Sequence, residues 1–131
     1  MKKIGALNSE ITAVISQLGH TDTIVIGDCG LPIPDGVKRI DLALKPGLPS
    51  FIDTLEVVLE EMQVEAAVLA EEIKTHNPKI EQQVREILHD AEMSYVSHEQ
   101  LKRLSERAKA VIRTGEATPY ANVVLRSGVI F

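Results

Sequence analysis

The stretch Thr23-Ile24-Val25-Ile26-Gly27 is a short run rich in β-branched residues, without alternating polar positions. An apolar run of this length is typical of a strand that is covered on both faces, as strands of parallel sheets are. It ends at Asp28, and residues 29–36 then contain two prolines and an Asp-Gly pair, which predict an irregular loop. Loops after buried strands commonly carry ligand sites. This stretch therefore predicts a sheet protein with a candidate site residue at Asp28.

Helices and further strands are predicted on both sides of this run. Strands are expected over residues 37–44, 64–70, 92–96, 109–113 and 121–126. Helices are expected over residues 9–18, after the N-cap types Asn8 and Ser9, and from the N-cap Ser50 through Met62. Two more are expected from Pro78 to about residue 89 and from the N-cap Ser97 to about residue 108. Because strands and helices alternate, the sequence predicts the α/β class, with a mostly parallel sheet flanked by helices in a single domain, residues 1–131. The apolar end, residues 128–131, is expected to be buried in the core or against a neighbouring subunit.

Composition excludes several function classes. The 131 residues include 14 Lys and Arg against 19 Asp and Glu, a net charge of −5, which disfavours nucleic acid as a ligand. The single cysteine, Cys29, cannot form an intrachain disulfide, which fits a reducing cytoplasm. No signal peptide or membrane span is expected. The glycine-rich nucleotide motifs, the GxSxG hydrolase motif and the HExxH zinc motif do not occur.

Two histidines lie at predicted helix ends, where the helix dipole acts on them in opposite senses. His20 follows Gly19 at the end of the first helix, where the imidazolium form is favoured, so it could donate a proton. Alternatively, it only caps helix carbonyls. His98 begins a helix after Ser97, where neutral imidazole is favoured as an acceptor or base; alternatively, it is merely exposed there. His76 and His89 are expected to face solvent without a role.

Asp28 and the segment Tyr120-Ala121-Asn122 are the other candidates. A carboxylate at the end of an apolar strand is costly unless it bonds backbone N–H groups or a ligand, so Asp28 either binds a ligand or organises its own loop. The phenol and the amide of Tyr120 and Asn122, just after Pro119, suit a neutral polyol. The alternative for them is turn chemistry with a core tyrosine.

Taken together, these residues closely resemble the D-ribose pyranases (RbsD), relatives of the fucose mutarotases, from end to end. The segments that carry the resemblance are Met1-Lys2-Lys3, Leu18-Gly19-His20-Thr21-Asp22, Ile24-Val25-Ile26-Gly27-Asp28-Cys29-Gly30-Leu31-Pro32, Ile40-Asp41-Leu42-Ala43-Leu44, Ser97-His98-Glu99 and Ile112-Arg113-Thr114-Gly115-Glu116-Ala117-Thr118-Pro119-Tyr120-Ala121-Asn122. Cys29 departs from the smaller residue expected at its position.

The resemblance implies an isomerase that interconverts the β-pyranose and β-furanose forms of D-ribose in ribose catabolism, without a cofactor or metal. It implies a cytoplasmic homodecamer of two pentameric rings, with sites between subunits. By motif, His20 would be the proton donor, and the substrate-binding residues would be Asp28, His98, Tyr120, Ala121 and Asn122. General acid and base catalysis suffices for this reaction, but the residues leave the general base unassigned.

Three other functions stay open on the sequence. One is a non-catalytic sugar-binding module in ribose uptake, which would need the same pocket but no titrating His20. Another is a mutarotase of a different sugar, such as fucose, acting by the same mechanism. The third is a purely structural, ring-forming protein.

Overall fold

Six strands and five helices make up the computed structural model, which describes residues 1–131. In chain order they are α1 (Ser9–Gln17), β1 (Thr23–Gly27), β2 (Lys38–Asp41), α2 (Phe51–Glu61), β3 (Val64–Ala70), α3 (Ile73–His76), α4 (Pro78–Ile87), β4 (Glu92–Val96), α5 (His98–Ser105), β5 (Ala110–Arg113) and β6 (Val123–Ser127). The strands form a single sheet in the order β2-β5-β1-β6-β3-β4. None of the helices has the length and apolar character needed to cross a membrane.

The sheet confirms the predicted α/β class and is mixed rather than wholly parallel. The pairs β1–β5, β2–β5 and β3–β4 are parallel, whereas β6 runs antiparallel to both of its neighbours, β1 and β3. A parallel crossover needs a dozen or more residues and usually a helix. The segment 114–122 between β5 and β6 is shorter and contains no helix, so the chain returns in the opposite direction.

The central strand β1 is buried on both faces, as its apolar run predicted. Ile24 and Ile26 face the larger core cluster, which also contains buried residues of α1, α2 and α4. Val25 points to the opposite face and packs in the cluster that contains Leu101 of α5. Side chains alternate between the two faces of a strand, so the five residues of β1 connect the two cores.

The helix starts follow the capping residues found in the sequence. The Asn8 side chain accepts hydrogen bonds from the backbone N–H groups of Glu10 and Ile11, at 3.0 and 2.9 Å. Ser50 Oγ accepts from the Asp53 N–H at 3.0 Å, and Ser97 Oγ accepts from Gln100 at 3.1 Å. Each cap satisfies a backbone donor that has no partner within its helix, which fixes where α1, α2 and α5 begin.

Two expectations fail or change, and one helix was not predicted. The strand expected over residues 37–44 is only Lys38–Asp41, because Asp41 Oδ1 accepts the Ala43 N–H at 3.0 Å and the chain turns. The single-turn helix α3 was not predicted, because four residues are too few to show a helical period. Burial of the last residues in the core is wrong: beyond Gly128, whose N–H bonds Gln63 O, the side chain of Phe131 is fully exposed. The alternative of burial against a neighbouring subunit stays a prediction.

Candidate active site

Five of the six predicted site residues lie at the same edge of the sheet. Asp28 directly follows β1, and His98 follows β4 by way of Ser97. Both therefore lie at the carboxyl ends of parallel strands, where ligands bind in open α/β sheets. Tyr120, Ala121 and Asn122 reach that edge for a different reason: they precede β6, which is antiparallel and begins there.

Asp28 and Asn122 form a reciprocal pair at the centre of this edge. Asn122 Oδ1 accepts the Asp28 backbone N–H at 2.9 Å, and Asn122 Nδ2 donates to Asp28 Oδ2 at 3.0 Å. Asn122 is fully buried, whereas Asp28 is half-buried. The amide thus fixes the carboxylate in place and leaves it reachable from solvent. A carboxylate has more acceptor capacity than these bonds use, so Asp28 can also accept hydroxyl groups of a ligand.

Asp28 also organises its own loop, which confirms that alternative, whereas its role in ligand binding stays a prediction. Its Oδ1 accepts the Gly30 N–H at 2.9 Å, which is an Asx turn. The next residue, Cys29, is held at both backbone groups: its N–H donates to Glu116 O at 2.8 Å, and its carbonyl accepts from Arg113 Nε at 3.0 Å. The loop after β1 is therefore fixed against the loop before β6.

Tyr120 and His98 form the second part of the edge. Their rings meet edge to face, with centroids 5.1 Å apart and an interplanar angle of 82°. His98 Nδ1 is buried and has no hydrogen-bond partner within the chain. The backbone of Tyr120 is left-handed, with φ +57°. This uncommon conformation turns the chain sharply, and Asn122 N–H closes the turn on the Tyr120 carbonyl at 2.9 Å.

Three polar residues that sequence reasoning missed support this part of the site. Glu72 accepts the His98 backbone N–H at 2.9 and 3.2 Å, which places negative charge at the amino end of α5, where the helix dipole favours it. The Glu116 carboxylate accepts the Phe51 N–H at 3.0 Å and the Thr118 hydroxyl at 2.8 Å. The third is Asn77, which bonds the loop that carries Tyr120. The contacts Glu72–His98 and Glu116–Phe51 span 26 and 65 residues, so no local pattern identifies them.

Asn77 connects the joint between α3 and α4 to the loop that carries Tyr120. Its buried amide Nδ2 donates to Thr118 Oγ1 and to the Pro119 carbonyl, both at 2.9 Å. Glu116 binds the same Thr118 from the side of α2. The loop 114–122 is therefore held from two directions. Ala121 is fully buried within it.

His20 lies at the opposite edge of the sheet from the other predicted residues. It precedes β1, whereas Asp28 follows it, and a five-residue strand is about 13 Å long. Helix α1 ends at Gln17, and His20 Nε2 hydrogen-bonds Glu65 Oε2 at 2.9 Å instead of capping helix carbonyls. About half of the His20 side chain is exposed. Within one chain, the predicted proton donor does not meet the predicted sugar-binding residues.

The His20 hydrogen bond holds the pKa of Glu65 below its ordinary value of 4.5, and Arg126, at 2.8 Å, adds to the effect. Replacing His20 by Ala should therefore raise the pKa of Glu65 towards 4.5, measured from the pH dependence of its ¹³C carboxyl shift. Because the folded-state value is lowered, the interaction stabilises the fold above about pH 4.5 and is lost as pH falls through the lowered value. His89→Ala is the matched control. Identical Glu65 curves in wild type and His20→Ala would contradict the assignment.

Asp28, His98, Tyr120 and Asn122 together can hold a neutral, hydroxyl-rich molecule. Asp28, His98 and Tyr120 offer a carboxylate, an imidazole and a phenol, each of which can bond a hydroxyl group, and the buried amide of Asn122 fixes the carboxylate. The structure has no group of three or more His, Cys, Asp or Glu side chains arranged to hold a metal ion.

Comparison with known proteins agrees with this fold over the whole chain. The sequence model of the RbsD / FucU transport protein family matches residues 1–130. A protein of Laribacter hongkongensis (strain HLHK9) named D-ribose pyranase is 63% identical over 131 residues, covering 100% of both chains. A protein of the same name from Bacillus cereus (strain B4264) is 60% identical over the same length, with the same coverage.

Solved structures of related proteins have the same fold as this chain. Bacillus subtilis RbsD complexed with D-ribose superposes with a TM-score of 0.97 at 54% identity, covering 100% of both chains. The fucose mutarotase of Streptococcus pneumoniae in complex with L-fucose has a TM-score of 0.79 at 22% identity over 95% of each chain, a likeness of fold alone. Full-length identity of this extent, together with the shared sheet and loops, shows that the chain belongs to the RbsD / FucU transport protein family.

Proposed function

We propose that this chain is a D-ribose pyranase, an isomerase that interconverts the β-pyranose and β-furanose forms of D-ribose. The observation that carries the proposal is the full-length similarity, 63% and 60%, to proteins named D-ribose pyranase. The near-identical fold of a relative complexed with D-ribose supports the substrate, with a TM-score of 0.97. The cluster of hydroxyl-binding side chains at one sheet edge is the structural counterpart of that substrate.

The reaction needs only proton transfers and the positioning of the sugar. A proton is delivered to the pyranose ring oxygen and another is removed from the anomeric hydroxyl, so that the bond from the anomeric carbon to the ring oxygen breaks and the open aldehyde forms. A different hydroxyl then attacks the aldehyde carbon and loses its proton, while the aldehyde oxygen gains one. Atoms and electrons balance without an oxidant or reductant, and general acid and base groups supply every step.

We assign the roles by the family motif and by the geometry. His20 is the proton donor. Asp28 accepts sugar hydroxyls, with Asn122 fixing its carboxylate at 3.0 Å. By the motif, His98 and the segment Tyr120-Ala121-Asn122 bind the sugar, the segment through side-chain and backbone contacts. His98 Nδ1, buried without a partner, supports a role for this ring as an acceptor.

The separation of His20 from the other residues favours a site shared between subunits. A proton donor at one sheet edge can reach a sugar bound at the other edge only if two chains meet there. Apolar side chains exposed near both termini, among them Ile4, Ile130 and Phe131, suit such contacts. We therefore propose a homo-oligomer, a decamer of two pentameric rings as the family resemblance implies, in which residues 1–131 form one functional unit.

The lone, half-buried Cys29 suits a reducing compartment. We propose that the protein acts in the cytoplasm, in ribose catabolism, and without a cofactor.

The test is magnetisation transfer between the β-pyranose and β-furanose proton signals of ribose, with and without the protein. Exchange that appears only with protein is the expected result, because uncatalysed interconversion is slow on this scale. L-fucose and D-galactose, measured in parallel, separate ribose isomerisation from mutarotation of another sugar. Ribose binding without added exchange would overturn the enzyme assignment in favour of a binding module, and the absence of any saturable sugar effect would favour a structural role.

A further inference from the structure

His76 is an exposed histidine that neither the motif nor the proposed reaction uses. It ends α3, and its ring lies against Tyr120, with centroids 5.4 Å apart and an interplanar angle of 49°. That separation is within the range of favourable aromatic contacts. Tyr120 thus contacts two imidazole rings, His98 at 5.1 Å and His76 at 5.4 Å.

The contact between the rings is reinforced by a hydrogen bond between the adjacent residues. Asn77, which follows His76, donates to the carbonyl of Pro119, which precedes Tyr120, at 2.9 Å. Asn77 is buried and also bonds Thr118, so the backbone of one segment is fixed against the other. The fold therefore holds together the two segments that carry His76 and Tyr120, although the His76 ring itself is exposed.

We propose that His76 is a positioning residue for Tyr120: its ring holds the phenol in the orientation that binds the sugar. This inference rests on the proposed function, since it gives Tyr120 its sugar-binding role. The backbone at Tyr120 is left-handed, with φ +57°, and its half-buried side chain packs against both core clusters, to which the two imidazole rings add their contacts. Without the His76 ring, the phenol loses one of these contacts and gains freedom that must be lost again when the sugar binds.

The expected effect is on substrate binding rather than on chemistry. His76→Ala should raise the KM for ribose by about 3- to 10-fold, a factor that corresponds to one aromatic contact. The kcat should change by less than about twofold, because a contribution made equally to bound substrate and transition state alters only KM. Both constants come from exchange rates at ribose concentrations below and above KM.

His76→Phe and His89→Ala are the matched variants. His76→Phe keeps a ring against Tyr120 but has no ring nitrogen, so it should stay within about twofold of the wild-type KM. His89 is also an exposed histidine, bonded to Glu86 O at 3.0 Å, and His89→Ala should leave KM unchanged. If His76→Phe is impaired as much as His76→Ala, the ring nitrogens rather than the ring contact matter and the proposal is overturned. An unchanged KM in His76→Ala would overturn it as well.

A second measurement does not depend on catalysis. The chain has only two tyrosines, so protein labelled with 3-fluorotyrosine gives two ¹⁹F signals, which Tyr95→Phe assigns. His76→Ala should shift the Tyr120 signal of the free protein, leave that of Tyr95 in place, and raise the ribose concentration at half-saturation by the same 3- to 10-fold factor. If the wild type catalyses no exchange but His76→Ala raises the ribose concentration at half-saturation as expected, the proposed function fails and the positioning role stands. A Tyr120 signal and a titration that are both unchanged overturn the positioning role whatever the catalytic result.

Discussion

Replacing His20 by glutamine lowers the catalysed exchange between β-pyranose and β-furanose ribose by about 10²- to 10⁴-fold, the usual contribution of a positioned proton-transfer group. Glutamine has a similar size and can still donate a hydrogen bond to Glu65, which His20 contacts at 2.9 Å. It cannot gain and lose a proton near neutral pH. The substitution therefore removes proton transfer and retains the local contact, so the loss should appear in kcat with little change in KM.

The rate is measured by magnetisation transfer, with His89→Ala as the control for loss of an exposed histidine. Ribose binding by the His20→Gln protein should persist, because we propose that the residues at the other edge of the sheet hold the sugar. A His20→Gln protein with a wild-type rate would show that the proton comes from a different group. His98, the other histidine among the predicted site residues, is the next candidate in that case.

The sequence predicted the elements of the fold well because their signals are local. The β-branched run at residues 23–27 and the caps Asn8, Ser50 and Ser97 all act within a few residues of themselves, and the structure has the corresponding elements. The direction of β6 follows from the short, helix-free connection of residues 114–122. Its place between β1 and β3 depends on strand pairing over long sequence distances, which no local signal shows.

The site shows the same division between local and distant information. Asp28 could be identified from the sequence because a carboxylate that ends an apolar strand is unusual by itself. Its partner Asn122 is 94 residues away, and the contact of Glu116 with the start of α2 spans 65 residues. Nothing in the local sequence of either residue indicates such a contact. His76 was expected to face solvent, and it does. Its contact with Tyr120 arises where Asn77, the residue after it, bonds the Pro119 carbonyl in the distant loop 114–122.

Two inactive variants are expected to restore activity when they assemble together, because we infer that each site takes His20 from one chain and Asp28 from its neighbour. In one chain, these residues lie on opposite ends of β1. The variants are His20→Ala and Asp28→Ala, unfolded and refolded together in equal amounts. A site is intact when its His20 comes from an Asp28→Ala chain and its Asp28 comes from a His20→Ala chain. In a random mixture this has a chance of ½ × ½, so about a quarter of wild-type activity should return.

A second mixture separates this arrangement from a site within one chain. Wild type refolded with an equal amount of the double variant, His20→Ala with Asp28→Ala, has half intact chains. A site within one chain would then keep about half of wild-type activity, whereas a shared site again requires two independent choices and keeps about a quarter. Circular dichroism of each variant checks that it folds, since Asp28→Ala removes a partner of Asn122. Background activity in the first mixture with half activity in the second would place His20 and Asp28 in the same site of one chain. A quarter in both mixtures is the result that only a site built from two subunits can give.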